Sequence, residues 1–377
     1  DPGGMTAYVL TAAAMSLPAL GVLRCCCRRR VFTAASASLS TRPSGALIID
    51  TDCALDDLAT LALAAATGTS LQLVTTVNGL APPGHGHELV RRMLDALEMR
   101  AVPVVAGAEE PPSYVVREKA AWEQGYDDRR ANAVAQLGIE PAAAPAMQSG
   151  ERGTAAAAAD AIVESARAAG GATVLALGAL TNLAAACERH PHEFRRSVER
   201  VIFIADAQPA RTSFNVQCDP QALATVLRSG VELVLIGQPC YPRPAWVEAL
   251  FSGGARSSEG DDDELDQESV LRPRQLSRAA QATPMGTAES QRAHPEAALR
   301  LRRLGALDPY AYCYDPLALL YLLQPDAFDT AASLPVRVTA DGLLERCSEA
   351  EAQGRALEPQ GVELARYEAF LRQASAI

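Results

Sequence analysis

Continuous apolar runs alternate with stretches at helical spacing along most of the chain. Leu47-Ile48-Ile49 is a short apolar run of the kind that fills a buried parallel strand. Leu58 to Ala66 follows at helical spacing, and Leu71 to Val77 reads as a second buried strand ended by Asn78-Gly79. Glu88 to Leu97 is an amphipathic helix, and Val102 to Gly107 a third, short strand. Further on, Thr154 to Ala169 is an Ala-rich helix. Ala172 to Leu177 then runs as a strand through Gly178 into another helix, and Val198 to Ala205 and Val231 to Gly237 add two strands. This alternation predicts an α/β fold, doubly wound around a mostly parallel, Rossmann-like central sheet with right-handed crossovers. Ala297 to Leu304 is expected to be helical. The tail from Val336 to Ile377 offers short strands and a last helix over Tyr367 to Ala374.

Three segments fall outside the pattern. Residues 1–44 carry no acid between Asp1 and Asp50, but they hold Arg24, Cys25-Cys26-Cys27, Arg28-Arg29-Arg30 and a Ser/Ala-rich stretch. With Met5 as a start residue, this reads as a leader, and mitochondrial import is the favoured destination. A membrane anchor built on the uncharged stretch from Thr6 to Leu23, with palmitoylated cysteines beside it, is an alternative, as is a cytoplasmic protein. Residues 108–150 form an irregular segment with Trp122 and Tyr126, read either as a lid or as a divergent surface loop. Residues 252–275, with the acidic run Glu259 to Glu264, are expected to be a disordered insertion. One domain over residues 45–377 accommodates the rest.

Composition narrows the function classes. The 377 residues carry a formal net charge of −11, which argues against nucleic acid as a partner. Lys119 is the only lysine. The nine cysteines show no C-x-x-C pair and no zinc spacing, so those beyond the leader read as reduced core thiols.

The candidate chemistry lies where the first strand gives way to the first helix. Asp50, Asp52, Asp56 and Asp57 fall within eight residues there. In open parallel sheets that is where ligands bind. Carboxylates this close repel one another unless a cation neutralises them, and hard oxygens favour Ca²⁺ or Mg²⁺ over zinc. The bland alternative is helix capping and first-turn acids placed for the helix dipole, which accounts for one or two of the four. An EF-hand loop is excluded, because its glycine and its closing Glu are missing. A phosphatase of the haloacid-dehalogenase type also begins with strand and Asp-x-Asp. It needs a downstream lysine, for which only Lys119 exists.

The stretch Asp50-Thr51-Asp52-Cys53-Ala54-Leu55-Asp56-Asp57-Leu58-Ala59 resembles the signature of the nucleoside hydrolases of the inosine–uridine-preferring type, with Cys53-Ala54 where that family has Pro-Gly. Three later segments resemble the same family in the same order. They are Gly178-Ala179-Leu180-Thr181-Asn182, Phe214-Asn215 with Asp219-Pro220, and Tyr314-Asp315-Pro316. The resemblance covers about residues 46 to 325.

That resemblance implies an enzyme hydrolysing the N-glycosidic bond of ribonucleosides, as a homo-oligomer (dimer or tetramer). It implies Ca²⁺ held by Asp52, Asp57, the Leu177 carbonyl and Asp315. Asp52 would be the base for the attacking water, Asp56 and Asn215 would bind ribose hydroxyls, and Asn78 would either join them or act only as a turn residue. The family's leaving-group histidine is Tyr314 here, a sugar-binding Glu is Ser213, and an Asn is Leu80. Those departures favour, as the alternative, a catalytically weak binding protein of the same fold. The preferred base is not legible.

Overall fold

The apolar runs become the middle of one sheet. The computed structural model describes residues 45–109, 153–207, 213–252, 301 and 309–375. The leader, residues 110–150 of the candidate lid and the insertion beyond Ser252 lie outside these residues, as does all but Leu301 of the helix expected over Ala297 to Leu304. Strands β1 (Ala46–Thr51), β2 (Leu71–Thr76), β3 (Val104–Ala106), β4 (Ala172–Ala176), β5 (Val198–Ile204) and β6 (Glu232–Ile236) run parallel. Helices α1 (Leu55–Ala66), α2 (Pro83–Ala96), α3 (Ala155–Ala168), α4 (Thr181–Arg189) and α5 (Pro191–Ser197) supply the crossovers, followed by α6 (Phe214–Cys218), α7 (Pro220–Ser229) and α8 (Pro244–Ser252).

Side chains of a strand alternate between faces, and both faces of this sheet are covered. Leu47 and Ile49 of β1 pack in one apolar layer with α1 and α2, whereas Ile48 packs in the other with α3 and α4. Burial on both faces is why these strands read as unbroken apolar runs. Side chains cap two of the helices. The Thr154 hydroxyl accepts from Ala157 N–H at 3.1 Å, and Asp219 Oδ1 accepts from Ala222 N–H at 3.1 Å with Pro220 in the first turn of α7.

The tail does more than its sequence suggested. β7 (Ala332–Val338) begins four residues earlier than expected, and β8 (Leu344–Arg346) and β9 (Gly354–Glu358) complete an antiparallel ribbon. β9 also pairs parallel with β6, giving a nine-stranded sheet of order β3-β2-β1-β4-β5-β6-β9-β7-β8. α9 (Pro316–Leu323) packs beside α1, and α10 (Leu364–Ser375) starts three residues before Tyr367. β7 is partly exposed along most of its length, so its apolar signal is weak.

The order 3-2-1-4-5-6 reverses between β1 and β4. That reversal makes a crevice at the carboxyl ends of those two strands, the place where doubly wound sheets bind ligands.

Candidate active and metal site

Asp50, next to last in β1, lies opposite Thr75 of β2 and Ala176 of β4, and Asp52 follows the strand's end into the crevice. None of the four aspartates caps α1. Its N-cap is Ala54, and no side chain caps that end. Capping therefore does not explain the acids. Asp56 and Asp57 do lie in the first turn, where the helix dipole favours them. Asp57 is nevertheless 1% exposed, far from the solvated setting of an ordinary dipole acid.

Thr51 fixes Asp57. Its hydroxyl accepts from Cys53 N–H at 2.9 Å and donates to Asp57 Oδ1. Asp315 arrives from the far end of the sequence. It occupies the N-cap position of α9 without capping it, which leaves its carboxylate to face α1. Carboxylate oxygens of Asp56, Asp57 and Asp315 all lie within 4.8 Å of one another.

Asp52 is held by backbone. Its Oδ2 accepts from Leu80 N–H at 3.1 Å. A Cβ on Gly79 would stand 2.1 Å from that oxygen, and one on Gly178 would stand 2.9 Å from Asp52 Cβ. Two glycines thus form a slot for this carboxylate. We expect Gly79→Ala to lower stability by ~1–3 kcal/mol, the usual cost of overpacking, measured by urea unfolding. An unchanged midpoint would show that the slot is loose.

The Leu177 carbonyl accepts from Asn215 Nδ2 at 2.8 Å, while Leu177 N–H donates to the Asp50 carbonyl at 2.8 Å. Asn215 also reaches the Ile204 carbonyl at 3.5 Å, so it spans the ends of β4 and β5. The Asn78 amide donates to the Glu109 carbonyl, its N–H donates to the Ala108 carbonyl at 3.1 Å, and its Oδ1 is buried without a partner. These hydrogen bonds tie Asn78 to the chain after β3. Tyr314 is half-buried, with its ring edge-on to Tyr241 at 4.8 Å between centroids.

The electrostatics follow from burial. Desolvation first, and the neighbouring carboxylates after it, push Asp52 and Asp315 well above the usual carboxylate range. Desolvation also raises Asp57, opposed by its hydrogen bonds with Asp315 and Thr51. Asp50 is pushed up to about 7 by burial, against hydrogen bonds from Thr75 and Asn182. No ion pair among the described residues relieves Asp52, Asp57 or Asp315.

These groups fit a hard divalent cation. Two oxygens bound to one Ca²⁺ at ~2.4 Å stand at most ~4.8 Å apart, and the cluster of Asp56, Asp57 and Asp315 falls within that limit. Asp57 Oδ2 and Asp315 Oδ2 are buried with no hydrogen-bond partner. An orphaned buried carboxylate oxygen carries a desolvation penalty of several kcal/mol, which a cation removes. Asp56, expected at the sugar, stands in this cluster, whereas Asp52 is engaged beside it with Leu80.

The sequence pattern of the inosine-uridine preferring nucleoside hydrolases matches residues 47–365. The chain belongs to that family. Over 204 residues it is 30% identical to the non-specific ribonucleoside hydrolase RihC of Klebsiella pneumoniae, a match covering 51% of this chain and 60% of that protein. The chain therefore spans less than two thirds of the length of the curated relatives it matches. The purine-preferring ribonucleoside hydrolase of Gardnerella vaginalis superposes with a TM-score of 0.59 at 17% identity, covering 88% of this chain and 98% of the other. The inosine-uridine preferring nucleoside hydrolase of Bacillus anthracis gives 0.61 at 14% identity, covering 88% and 99%. These two likenesses establish the nucleoside hydrolase fold.

Against the nucleoside hydrolase pattern, the turn after Asp52 is this chain's own. Cys53 adopts φ 65, which the proline of the family pattern could not, since its ring locks φ near −65. The left-handed region is unusual for a non-glycine residue. At Cys53 it lets the N–H reach the Thr51 hydroxyl that orients Asp57.

Some site residues were not singled out beforehand. Asp50 Oδ1 accepts from Thr75 at 2.6 Å and from Asn182 at 2.8 Å, and Asn182 also bonds the Thr76 carbonyl and Ala108 N–H. This node joins β1, β2 and the start of the segment after β3 under the site. Asn182 was visible as part of a motif, but its partners become neighbours only through the strand order. Thr51 and Gly79 gave no signal of their own.

Proposed function

We propose that the protein hydrolyses the N-glycosidic bond of ribonucleosides to free base and ribose, with Ca²⁺ as cofactor. The observation that carries this reading is the buried cluster of Asp56, Asp57 and Asp315, with its orphaned oxygens, beside Asp52 at the switch point of the sheet. Family membership and the names of the relatives support it.

Asp57, Asp315, Asp52 and the Leu177 carbonyl would hold the ion, with Asp56 close enough to share that task. When bound, Ca²⁺ would supply Lewis-acid chemistry, activating a water and orienting ribose hydroxyls. Asp52 takes the proton of the attacking water at the carboxylate that Leu80 N–H holds in place. Asp56 and Asn215 orient the ribose hydroxyls, with Asn78 a further candidate. The bond breaks through an oxocarbenium-like sugar, as in glycoside hydrolysis, and Tyr314 lies at the family's leaving-group position.

Incubating the protein with a panel of ribonucleosides, with and without chelator, and assaying reducing sugar tests this reading. Chelator-sensitive release of ribose is the expected result. No release from any nucleoside would favour a catalytically weak binding protein, the reading that Tyr314, Ser213 and Leu80 support. We also expect about one equivalent of Ca²⁺ per chain after dialysis, and much less in a folded Asp57→Ala variant. Zinc in its place, or no metal in the parent, would contradict the assignment. A homo-oligomer, as dimer or tetramer, belongs to the same proposal.

A further inference from the structure

Of the clustered acids Asp56, Asp57 and Asp315, only Asp315 comes from outside α1. Its place depends on the short stretch in front of α9, one turn of 3₁₀ helix over Pro309–Tyr312 followed by Cys313 and Tyr314. The last helix of the chain grips that stretch. Tyr367 of α10, 0% exposed, donates its hydroxyl to the Tyr312 carbonyl at 2.6 Å. Tyr312 is equally buried. Its own hydroxyl donates to the Leu301 carbonyl at 2.6 Å, and its ring stacks on Phe251 at 4.8 Å between centroids.

α10 fastens the other end of α9 as well. Arg366 Nη1 stands 2.9 Å from Asp326 Oδ2 in the turn after α9, and Glu363 N–H donates to the Ala327 carbonyl at 2.8 Å. Adjacent residues of one helix, Arg366 and Tyr367, thus hold both ends of the element that Asp315 begins. α10 also packs against α1, which carries Asp56 and Asp57. The Tyr367 ring stacks on Trp246 at 5.9 Å and on Phe370 at 6.4 Å, so ring and hydroxyl have separate tasks. Burial holds that hydroxyl well above its ordinary value, with Cys313, Tyr312, Asp56 and Asp315 adding to the effect. It is a neutral donor close to the acids.

A phenylalanine would fill the same space with no hydroxyl to satisfy. What the hydroxyl adds is one fixed carbonyl, three residues before Asp315. Asp315 Oδ2 has no hydrogen-bond partner and the side chain does not cap α9, so the backbone decides where this carboxylate stands. A carboxylate that meets a cation at ~2.4 Å tolerates little displacement. Resting on the calcium reading above, we infer that Tyr367 is a positioning residue for the metal: its hydroxyl, acting through the Tyr312 carbonyl, sets Asp315 against Asp56 and Asp57 and thereby sets calcium affinity. Tyr367 lies beyond residues 47–365, over which the family pattern matches.

The test is Tyr367→Phe, which removes one hydroxyl and keeps the stacked ring. Calcium alone is titrated into chelator-treated parent and variant against a competing chelating dye. We expect the calcium dissociation constant to rise about tenfold, the size of one buried carbonyl left without its donor. Amide exchange over residues 312–318 should quicken in the same variant, and that over β4 should not. A hydroxyl that only supports the fold would lower stability equally with and without calcium and leave the dissociation constant where it was. An unchanged constant in a folded variant therefore overturns the inference. Should Tyr367→Phe not fold, Tyr312→Phe takes its place, because it frees the same turn from Leu301, with the same expected weakening and the same overturning result. If the parent binds no calcium, the metal assignment fails separately and the exchange measurement decides. Faster exchange over 312–318 then keeps Tyr367 as the anchor of Asp315, and unchanged exchange overturns that role.

Discussion

Asp52→Ala is expected to abolish turnover of every riboside. The carboxylate accepts from Leu80 N–H, is slotted between Gly79 and Gly178, and stands beside the cluster of Asp56, Asp57 and Asp315. If Asp52 is the base, removing it costs ~10²–10⁴-fold and leaves a cavity beside the acid cluster. Asp52→Asn separates these effects. It preserves the volume and an oxygen for Leu80 N–H but is no base. We expect it to fold as the parent does and to lose at least ~10²-fold in kcat on neutral and activated substrates alike. Activity of Asp52→Asn within a few-fold of the parent would remove Asp52 from the role of base.

Why Asp52 was legible in the sequence and its slot was not comes down to what each depends on. The first six strands were readable because helices cover both faces, so Leu47, Ile48 and Ile49 are all apolar. The acids were readable because carboxylates at a strand–helix junction demand an explanation, and capping, the simplest one, does not hold at Ala54. Gly79 looked like an ordinary turn residue. Its need for no side chain comes from Asp52, twenty-seven positions earlier in sequence and beside it only once β1 and β2 pair. The tail was read late because β7 is half-exposed and alternating, and β9 joins the main sheet by pairing with β6. Asn78 was legible as a polar residue at a strand end, but its hydrogen bonds to Ala108 and Glu109 depend on where the chain runs after β3.

Tyr314→Phe separates an acid from a packing residue. Tyr314 follows the buried Cys313, precedes Asp315 and rests edge-on against Tyr241. A phenol is a weaker acid than an imidazolium, but it is still an O–H donor, and the proposed function gives it the leaving-group role. If Tyr314 protonates the base, Tyr314→Phe should lower kcat on inosine and uridine by ~10²–10⁴-fold. Calcium content should stay at the parent value, because the proposed ligand is Asp315 rather than Tyr314 and the ring packing survives the loss of one hydroxyl. On p-nitrophenyl riboside, whose leaving group needs no proton, the variant should lose little. The same holds for a ribosyl pyridinium, whose base departs neutral. A uniform loss on all substrates would place the hydroxyl in positioning the sugar or Asp315. No loss on any of them would make Tyr314 a packing partner of Tyr241, and the neutral nucleosides would then leave without side-chain help.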